Sequence, residues 1–304
     1  MDEGENMEQI NLKARAKINI TIDVLNKRED NYHNIEMIMQ TVDLYDKIHI
    51  KKISKKDIVL RTNLKWLPTD ERNLVYKAAQ IIMEKYRIDK GVEIKLDKTI
   101  PVCAGLAGGS TDAAATLVGM NRLFDLNINK EELKKMGQTL GADVPYCIMR
   151  GTALAQGIGE KLTRLPNMPK CYVVLAKPNI KVQTPWVYQN LNLKNIEKHP
   201  DTKNVINSLK EKNIKKIAGG MCNVLELVTE HEYPIISELK NFMINKGALN
   251  AMMSGSGPTV FGLFEDYEKA KIAGEELRTK YNIKSVFVTE VFNNYKKEGK
   301  SKGC

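Results

Sequence analysis

A glycine-rich stretch at residues 101–115 contains residue types that bind phosphate. Gly105, Gly108 and Gly109 lie within five residues, between an alternating apolar segment and an alanine-rich one. Glycine permits positive φ and lets a ligand approach the main chain closely. Ser110 is a favourable N-cap residue, and a helix that begins there would direct unpaired N–H groups towards an anion. The residues alone leave two interpretations, a phosphate-binding loop or a flexible turn before a core helix.

Two polar residues near the N-terminus share one side of a predicted strand. Residues 10–24 alternate in polarity, and the period predicts a half-buried strand with one apolar face formed by Ile10, Leu12, Ala14, Ala16, Ile18, Ile20, Ile22 and Val24. Lys17 and Asn19 then lie together on the opposite face. Taken alone, Lys17 is equally well one solvated lysine among many.

Asp143 follows a predicted helix that begins at Asn129 and stops at Gly141. It precedes an apolar segment that we predict to be a strand, and Pro145 stiffens the intervening turn. Without further context Asp143 is a turn or cap residue. A second loop, Ser254–Thr259, is rich in glycine and serine. It is either a plain hairpin or a second backbone nest that faces the same polyanion as the first loop across a domain cleft.

The elements that must position these residues form two predicted α+β domains. Pro166 and Pro169 mark a boundary, which gives domains at 1–165 and 166–304. In the first domain we predict further strands at 36–44, 47–53, 57–61 and 92–96, with helices at 73–86 and 110–123. In the second we predict strands at 171–176, 248–253, 259–264 and 285–292, with helices at 184–192, 203–212, 221–230, 234–245 and 267–280. This is the ferredoxin-like order with helical insertions, and Thr184 is the predicted N-cap of its first helix.

Composition excludes several classes of protein. Hydrophobic residues make up 42% of the 304 residues and charged residues 28%, and the formal net charge is +10. The lysines are dispersed along the chain, so we predict no nucleic-acid partner. The five cysteines are far apart and form no metal-binding pattern, which predicts buried free thiols in a reducing compartment. No signal sequence or apolar run of about 20 residues occurs. We therefore expect a cytoplasmic protein without membrane contact and a disordered tail at 293–304, and leave open whether Met1 or Met7 is the natural start.

Three stretches together resemble the motifs of the GHMP small-molecule kinases. They are Ala16-Lys17-Ile18-Asn19, residues 101–114 and Ser254–Thr259, in this order over most of the chain. Within that family, the Asn-Tyr-His at 31–33, the Gly-Ala-Asp-Val-Pro at 141–145 and the Val-Gln-Thr-Pro at 182–185 are similar to the branch that acts on a cytidine diphosphate-linked methylerythritol. The resemblance implies a two-domain α+β fold, an N-terminal β/α nucleotide-binding domain and a C-terminal ferredoxin-like domain, with the active site between them.

The resemblance also implies an activity and roles for individual residues. The γ-phosphate of ATP, with its Mg²⁺, would pass to the 2-hydroxyl of the substrate, with Asp143 as base and Lys17 as the stabilising charge. The triphosphate would be held by Pro101, Ala104, Gly105, Leu106, Ala107, Gly108, Gly109, Ser110 and Thr111, and the adenine would be bordered by Asn73 and Lys98. The substrate would contact Asn19, Tyr32, His33, Thr184, Tyr188, Gly255, Ser256 and Gly257.

Within the substrate set, Tyr32 and Tyr188 would sandwich the cytosine while His33 reads its edge. Ala107 departs from the glycine that many members carry, and Tyr188 from a phenylalanine. The metal ligands stay open, apart from Ser110 as a candidate, and so does the choice between a monomer and a homodimer. Two alternatives remain: a family member that acts on mevalonate or homoserine, and a basic RNA-associated protein that shares part of the fold.

Overall fold

The structure is a computed structural model that describes residues 7–293. Met1 and the tail segment 294–304 lie outside these residues. The described strands are, in chain order, β1 (Gln9–Lys27), β2 (His33–Ile53), β3 (Ile58–Thr62), β4 (Gly91–Asp97), β5 (Thr152–Gly157), β6 (Lys161–Arg164), β7 (Tyr172–Lys177), β8 (Cys222–Asn223), β9 (Asn250–Met253), β10 (Val260–Phe264) and β11 (Ser285–Glu290). The described helices are α1 (Leu74–Lys85), α2 (Gly108–Leu123), α3 (Lys130–Leu140), α4 (Val144–Met149), α5 (Thr184–Asn190), α6 (Thr202–Lys210), α7 (Ile214–Gly219), α8 (Glu226–Glu232), α9 (Ile235–Asn245) and α10 (Tyr267–Lys280).

The long strand β2 is the centre of the first sheet. It pairs antiparallel with β1 on one side, and on the other side with β5 through residues 35–40 and with β4 through residues 47–53. The strand β3 lies parallel to β4, β6 pairs with β5, and β8 lies parallel to β1. The predicted strands at 36–44 and 47–53 are two parts of one continuous strand, β2. The two parts pair with different neighbours, the first with β5 and the second with β4.

The second sheet has the order β11–β7–β10–β9, with every neighbouring pair antiparallel. The helices α5 to α9 lie in the chain between β7 and β9, and α10 lies between β10 and β11. The predicted ferredoxin-like order with helical insertions after its first strand is confirmed, as is the mixed α+β class. No helix within residues 7–293 combines the length and apolarity needed to cross a bilayer.

The strand β1 does not keep one apolar face, contrary to the prediction. Its pairing with β2 shifts register between Arg15 and Lys17 and again between Asn19 and Thr21. A bulge inserts one residue and so reverses which side chains face each side. Accordingly Ala14, Ile22 and Val24 belong to one buried cluster, whereas Ala16, Ile18 and Ile20 belong to the other. Lys17 and Asn19 still share a side, because no register shift separates them.

Three local predictions were wrong for identifiable reasons. The apolar segment after Asp143 is the helix α4 and not a strand; it has Pro145 in its first turn, where a missing N–H is tolerated. Helix α2 begins at Gly108, with Ala107 in the left-handed conformation at its N-cap, so Ser110 is inside the helix. In α5 the N-cap position is Gln183 and not Thr184, and no side chain caps that end.

The predicted helix at 221–230 is a short strand, β8, followed by α8, and α7 precedes both. A two-residue strand that pairs with the distant β1 leaves no periodic signal. The other predicted helices are present, α10 with its predicted bounds and the rest with shifted ends. Asn129 caps α3 by accepting a hydrogen bond from the backbone N–H of Glu132 at 2.9 Å. Of the described thiols, Cys147 and Cys171 are buried as expected, whereas Cys103 is exposed and Cys222 is half-buried.

The buried clusters combine residues from both sheets. One contains Ile18 and Ile20 of β1 together with Val173 and Leu175 of β7. An isolated β-bridge also links Val42 of β2 to Val291, just after β11. The two sheets therefore share apolar core.

Candidate functional site

Lys17 and Asp143 meet although they are far apart in the sequence. The Lys17 Nζ lies 3.8 Å from Asp143 Oδ2, and it donates a hydrogen bond to Asn19 Oδ1 at 2.8 Å. Lys17 comes from the middle of β1, and Asp143 stands at the N-terminal end of α4. The Lys17 side chain is 7% exposed and that of Asp143 is 31% exposed. The pair thus joins a buried ammonium to a carboxylate that solvent or a ligand can reach.

The first glycine-rich loop lies directly against this pair. The backbone N–H of Lys17 donates to the carbonyl of Leu106 at 3.2 Å. Gly105 has φ of +74° and Ala107 has φ of +56°, and α2 begins immediately afterwards. The first amides of a helix have no intrahelical partner, so those of Gly108 and Gly109 are available to an anion. Ser110 lies near Gly141, which precedes Asp143 by two residues.

The second loop, Ser254–Thr259, packs on the first. The Ser254 hydroxyl donates to the Gly105 carbonyl at 3.0 Å, and a Cβ on Gly105 would overlap the Ser254 carbonyl oxygen. A Cβ on Gly255 would lie 3.6 Å from Lys17 Nζ. Both loops therefore converge on the lysine, and each requires glycine where the two backbones touch.

The second loop also contacts the start of α5. The hydroxyls of Thr184 and Ser256 are 2.7 Å apart, which brings two residues of the predicted substrate set together. Tyr188 lies one turn further along α5, and its ring centroid is 5.2 Å from that of His33 at an interplanar angle of 31°. Residues from β2, α5 and the second loop thus line one side of the site.

The electrostatics of the aromatic pair follow from burial. Burial raises the pKa of Tyr188 to about 12, with a smaller contribution from the negative charge of Asp143. Burial, and then the charge of Lys27, lowers the pKa of His33. His33 is therefore neutral at neutral pH and can both donate and accept a hydrogen bond. Tyr32 directly precedes His33, in the connection between β1 and β2, and is 62% exposed.

The two residues predicted to border adenine have side chains that are bonded within the protein. Asn73 caps α1 by accepting from the Val75 N–H at 2.9 Å, and its amide donates to the Pro68 carbonyl at 2.8 Å. The Lys98 ammonium donates to Asp112 at 2.7 Å and also pairs with Asp46. Pro101 and Ala104 lead into the loop, and Thr111 is buried in the first turn of α2.

Sequence reasoning missed three polar residues that support the loops. Asp46 and Asp112 enclose the Lys98 ammonium beneath the first loop, and burial raises the pKa of Asp112 well above its ordinary value. Asn223 donates to the carbonyls of Met253, the last residue of β9, and Gly255 in the second loop. The one available signal was the position of Asp46, between the two predicted strands but in step with the alternating apolar residues Leu44, Ile48 and Ile50.

Within residues 7–293 no cluster of three or more His, Cys, Asp or Glu side chains could hold a metal ion. Ser110, in the first turn of α2, and Asp143, beside Lys17, offer side-chain oxygen atoms near the first loop. Such a donor set suits Mg²⁺ that keeps phosphates and waters as most of its shell.

Two family models match the chain. The GHMP kinases N terminal domain matches residues 73–151, and the GHMP kinases C terminal domain matches residues 200–283. The first match contains the first glycine-rich loop and Asp143, and the second contains Asn223 and the second loop.

Two similar proteins of about the same length carry the same name. The 4-diphosphocytidyl-2-C-methyl-D-erythritol kinase of Lachnospira eligens is 52% identical over 286 residues, which cover 94% of this chain and 99% of that protein. The protein of the same name from Clostridioides difficile is 51% identical over 283 residues, which cover 93% and 95%. A crystal structure of 4-(cytidine 5'-diphospho)-2C-methyl-D-erythritol kinase superposes with a TM-score of 0.81 at 29% identity and covers 94% and 100%. The homoserine kinase of Cytophaga hutchinsonii, at 21% identity, a TM-score of 0.75 and 96% of each chain, shares the fold.

Proposed function

This chain belongs to the GHMP kinases, small-molecule kinases that use ATP, and from that premise we propose that it phosphorylates the 2-hydroxyl of 4-diphosphocytidyl-2-C-methyl-D-erythritol. The reaction is a step of the non-mevalonate route to isoprenoid precursors. The observation that carries the proposal is the Lys17–Asp143 pair, 3.8 Å apart, at the junction of the two glycine loops. Phosphoryl transfer needs little more than positioned phosphates, charge neutralisation and a proton acceptor.

Asp143 is the proposed base. Its carboxylate accepts the proton of the substrate hydroxyl while that oxygen bonds to the γ-phosphorus and the bond from the γ-phosphorus to the bridging oxygen breaks, which releases ADP. Lys17 stabilises the charge that develops on the attacking and transferred oxygens. The hydrogen bond to Asn19 keeps the ammonium of Lys17 directed at the site.

In this proposal the two loops bind different ligands. The first loop, residues 105–111, holds the triphosphate, with the amides of Gly108 and Gly109 at the start of α2 directed to it, and Gly255, Ser256 and Gly257 of the second loop face the substrate. The Ser110 hydroxyl would hold the Mg²⁺ that accompanies ATP, and that ion would supply charge neutralisation. Lys98 supports the first loop and Asn73 supports the start of α1. Neither contacts the nucleotide through its polar group in this proposal, because those groups are already bonded within the protein.

The aromatic side of the site selects the cytidine. Tyr188 offers a stacking face and His33 a hydrogen-bonding edge, and their rings are already 5.2 Å apart. Tyr32 closes over the base from the opposite side. Stacking on an aromatic ring contributes about 1–3 kcal/mol per base. Mevalonate and homoserine have no ring to stack, so the same residues disfavour those substrates.

We keep two further predictions as proposals: a division into an ATP-binding domain at 1–165 and a ferredoxin-like domain at 166–304, and action in the cytoplasm as a monomer or homodimer.

The proposal is tested with the purified full-length chain, ATP and three acceptors: the cytidyl substrate, mevalonate and homoserine. ADP release should occur with the first and be at least tenfold slower with the others at equal concentration. In Asp143→Asn, kcat should fall by about 10²–10⁴-fold while both ligands still bind, because a general base contributes a factor of that size.

The matched control is Asp89→Asn, which changes a carboxylate that is 93% exposed and away from the loops. Its turnover should stay within twofold of the wild type. Near-normal turnover in Asp143→Asn would remove Asp143 as the base, and preference for mevalonate or homoserine would overturn the substrate.

A further inference from the structure

Asn223 is a buried side chain whose hydrogen-bonding groups are engaged by backbone. Its amide donates to the carbonyl oxygens of Met253 and Gly255, both at 2.9 Å, and its Oδ1 accepts from the Leu225 N–H at 3.0 Å. The residue is 4% exposed. Because both of its donor contacts are with residues 253–255, Asn223 fixes the entry of the chain into the second glycine loop.

The opposite side of that loop is the reactive side. Gly255 has φ of +63°, and a Cβ there would lie 3.3 Å from the Gly105 carbonyl oxygen and 3.6 Å from Lys17 Nζ. At Gly255 a single layer of backbone therefore separates the Asn223 side chain from the Lys17 ammonium. If the Gly255 carbonyl moved, the distance between the second loop and the Lys17 ammonium would change.

Asn223 is also connected to the strand that carries Lys17. In β8 it pairs with Ile22 of β1, and the N–H of the next residue, Val224, donates to the Ile22 carbonyl at 3.1 Å. Glu226 completes the connection, because its Oε1 accepts from the Met253 N–H at 2.6 Å. The segment 223–226 therefore joins β1 to the base of the second loop, with one backbone hydrogen bond to Ile22 and three side-chain hydrogen bonds to residues 253–255.

We propose that Asn223 is a positioning residue that sets the separation between the Lys17 ammonium and the second glycine loop. The inference rests on the proposed function, in which the phosphoryl group passes between that loop and that lysine. Only a side-chain amide of this length supplies two donors to two carbonyls. An aspartate of the same shape would instead place a carboxylate against two carbonyl oxygens, and a serine would be too short to reach both.

The test variant is Asn223→Asp in the full-length chain, with Asn223→Ser as a milder second variant. The matched control is Asn121→Asp. Asn121 makes a similar double contact, because its side chain donates to the Ile128 carbonyl at 3.0 Å and accepts from the Ile128 N–H at 2.9 Å. It lies in the last turn of α2, about 20 Å from the first residue of that helix at 1.5 Å per residue. Asn121→Asp therefore disturbs a loop of comparable construction away from the site.

Three quantities are measured: kcat and KM for ATP and the cytidyl substrate, the free energy of unfolding in urea, and hydrogen exchange of the amides in 253–257. In both Asn223 variants we expect kcat to fall at least tenfold with less than a threefold change in either KM, and exchange of 253–257 to accelerate at least tenfold. In Asn121→Asp we expect comparable destabilisation with kcat within twofold of the wild type. A purely structural role for Asn223 would give equal destabilisation and no selective loss of kcat.

Unchanged exchange at 253–257, or a kcat within twofold of the wild type in a folded Asn223 variant, overturns the proposal. If Asn223→Asp does not fold, Asn223→Ser is judged by the same limits. If the wild-type chain does not phosphorylate the cytidyl substrate, the proposed function fails. The positioning role is then judged by loop exchange and by turnover with whichever acceptor the wild type uses.

Discussion

Lys98 lies beside the first glycine loop, but its ammonium belongs to the protein interior. A Cβ on Gly108 would be 3.1 Å from Lys98 Nζ, and the ammonium is paired with Asp46 and Asp112. Burial alone would lower the pKa of Lys98, yet the pKa is raised because the two carboxylates outweigh that effect. Asp46 also accepts hydrogen bonds from the backbone N–H groups of Thr99 and Ile100. This cluster fixes the chain just before the loop.

Replacing Lys98 with methionine should therefore affect stability first. The change leaves two carboxylates buried beside one another, and breaking a buried ion pair in this way costs about 3–5 kcal/mol. Urea unfolding monitored by circular dichroism measures the difference. The control is Lys56→Met, which breaks an exposed pair with Asp89 and should cost no more than about 1 kcal/mol. If Lys98→Met unfolds like the wild type and only the KM for ATP rises, then Lys98 binds the nucleotide directly.

At the level of elements, the helices and strands that could be predicted from the sequence are those whose polarity repeats with a regular period. The alternation of β1 and the helical spacing of α1, α3 and α10 were sufficient to predict those elements. The bulges of β1 could not be predicted, because they depend on the register with β2. Helix α4 was missed since six buried residues in succession have no polar face to reveal a period.

The candidate site shows the same limit. The side shared by Lys17 and Asn19 followed from alternation, whereas the approach of Asp143 came only from a family resemblance. Asn223 carries no local signal, because its partners at 253 and 255 are defined by the packing of two distant segments. Contacts across the fold are determined by pairing, which a single sequence does not record.

The contact between the two glycine loops makes a prediction for Gly105. Its φ of +74° costs a residue with a Cβ about 1–2 kcal/mol, and the added carbon would overlap the carbonyl oxygen of Ser254. Overpacking against backbone adds about 1–3 kcal/mol. Gly105→Ala should thus lose about 2–5 kcal/mol of unfolding free energy in urea.

The control for Gly105→Ala is Gly219→Ala, at the end of α7, where a Cβ would meet no atom within 4 Å. It should be neutral or stabilising by up to about 1 kcal/mol, because alanine restricts the unfolded chain. Equal stability of the two alanine variants would contradict both the positive φ of Gly105 and the contact between the loops.

For the whole molecule, the proposed boundary at 165/166 divides the chain but not the buried core. Ile18 and Ile20 of the first sheet belong to the same cluster as Val173, Leu175 and Phe261 of the second. The other cluster likewise includes residues of both halves, such as Val24 and Val174. Separating the halves would expose apolar surface of each to water, which costs about 25 cal/mol of free energy per Å² exposed. A shared core couples their unfolding, whatever the position of the boundary.

We therefore expect both halves to unfold in one transition. Pulse-labelling hydrogen exchange across a urea series should give one midpoint for amides of β4 and α2 and for amides of β10 and α10, since two-state unfolding requires coincident transitions. Ile18→Ala should lower both midpoints together and by the same amount, because its cavity, which costs about 2–5 kcal/mol, opens into core that both sheets line. Two midpoints, or a shift confined to the half that contains Ile18, would show that the sheets are stable independently of one another.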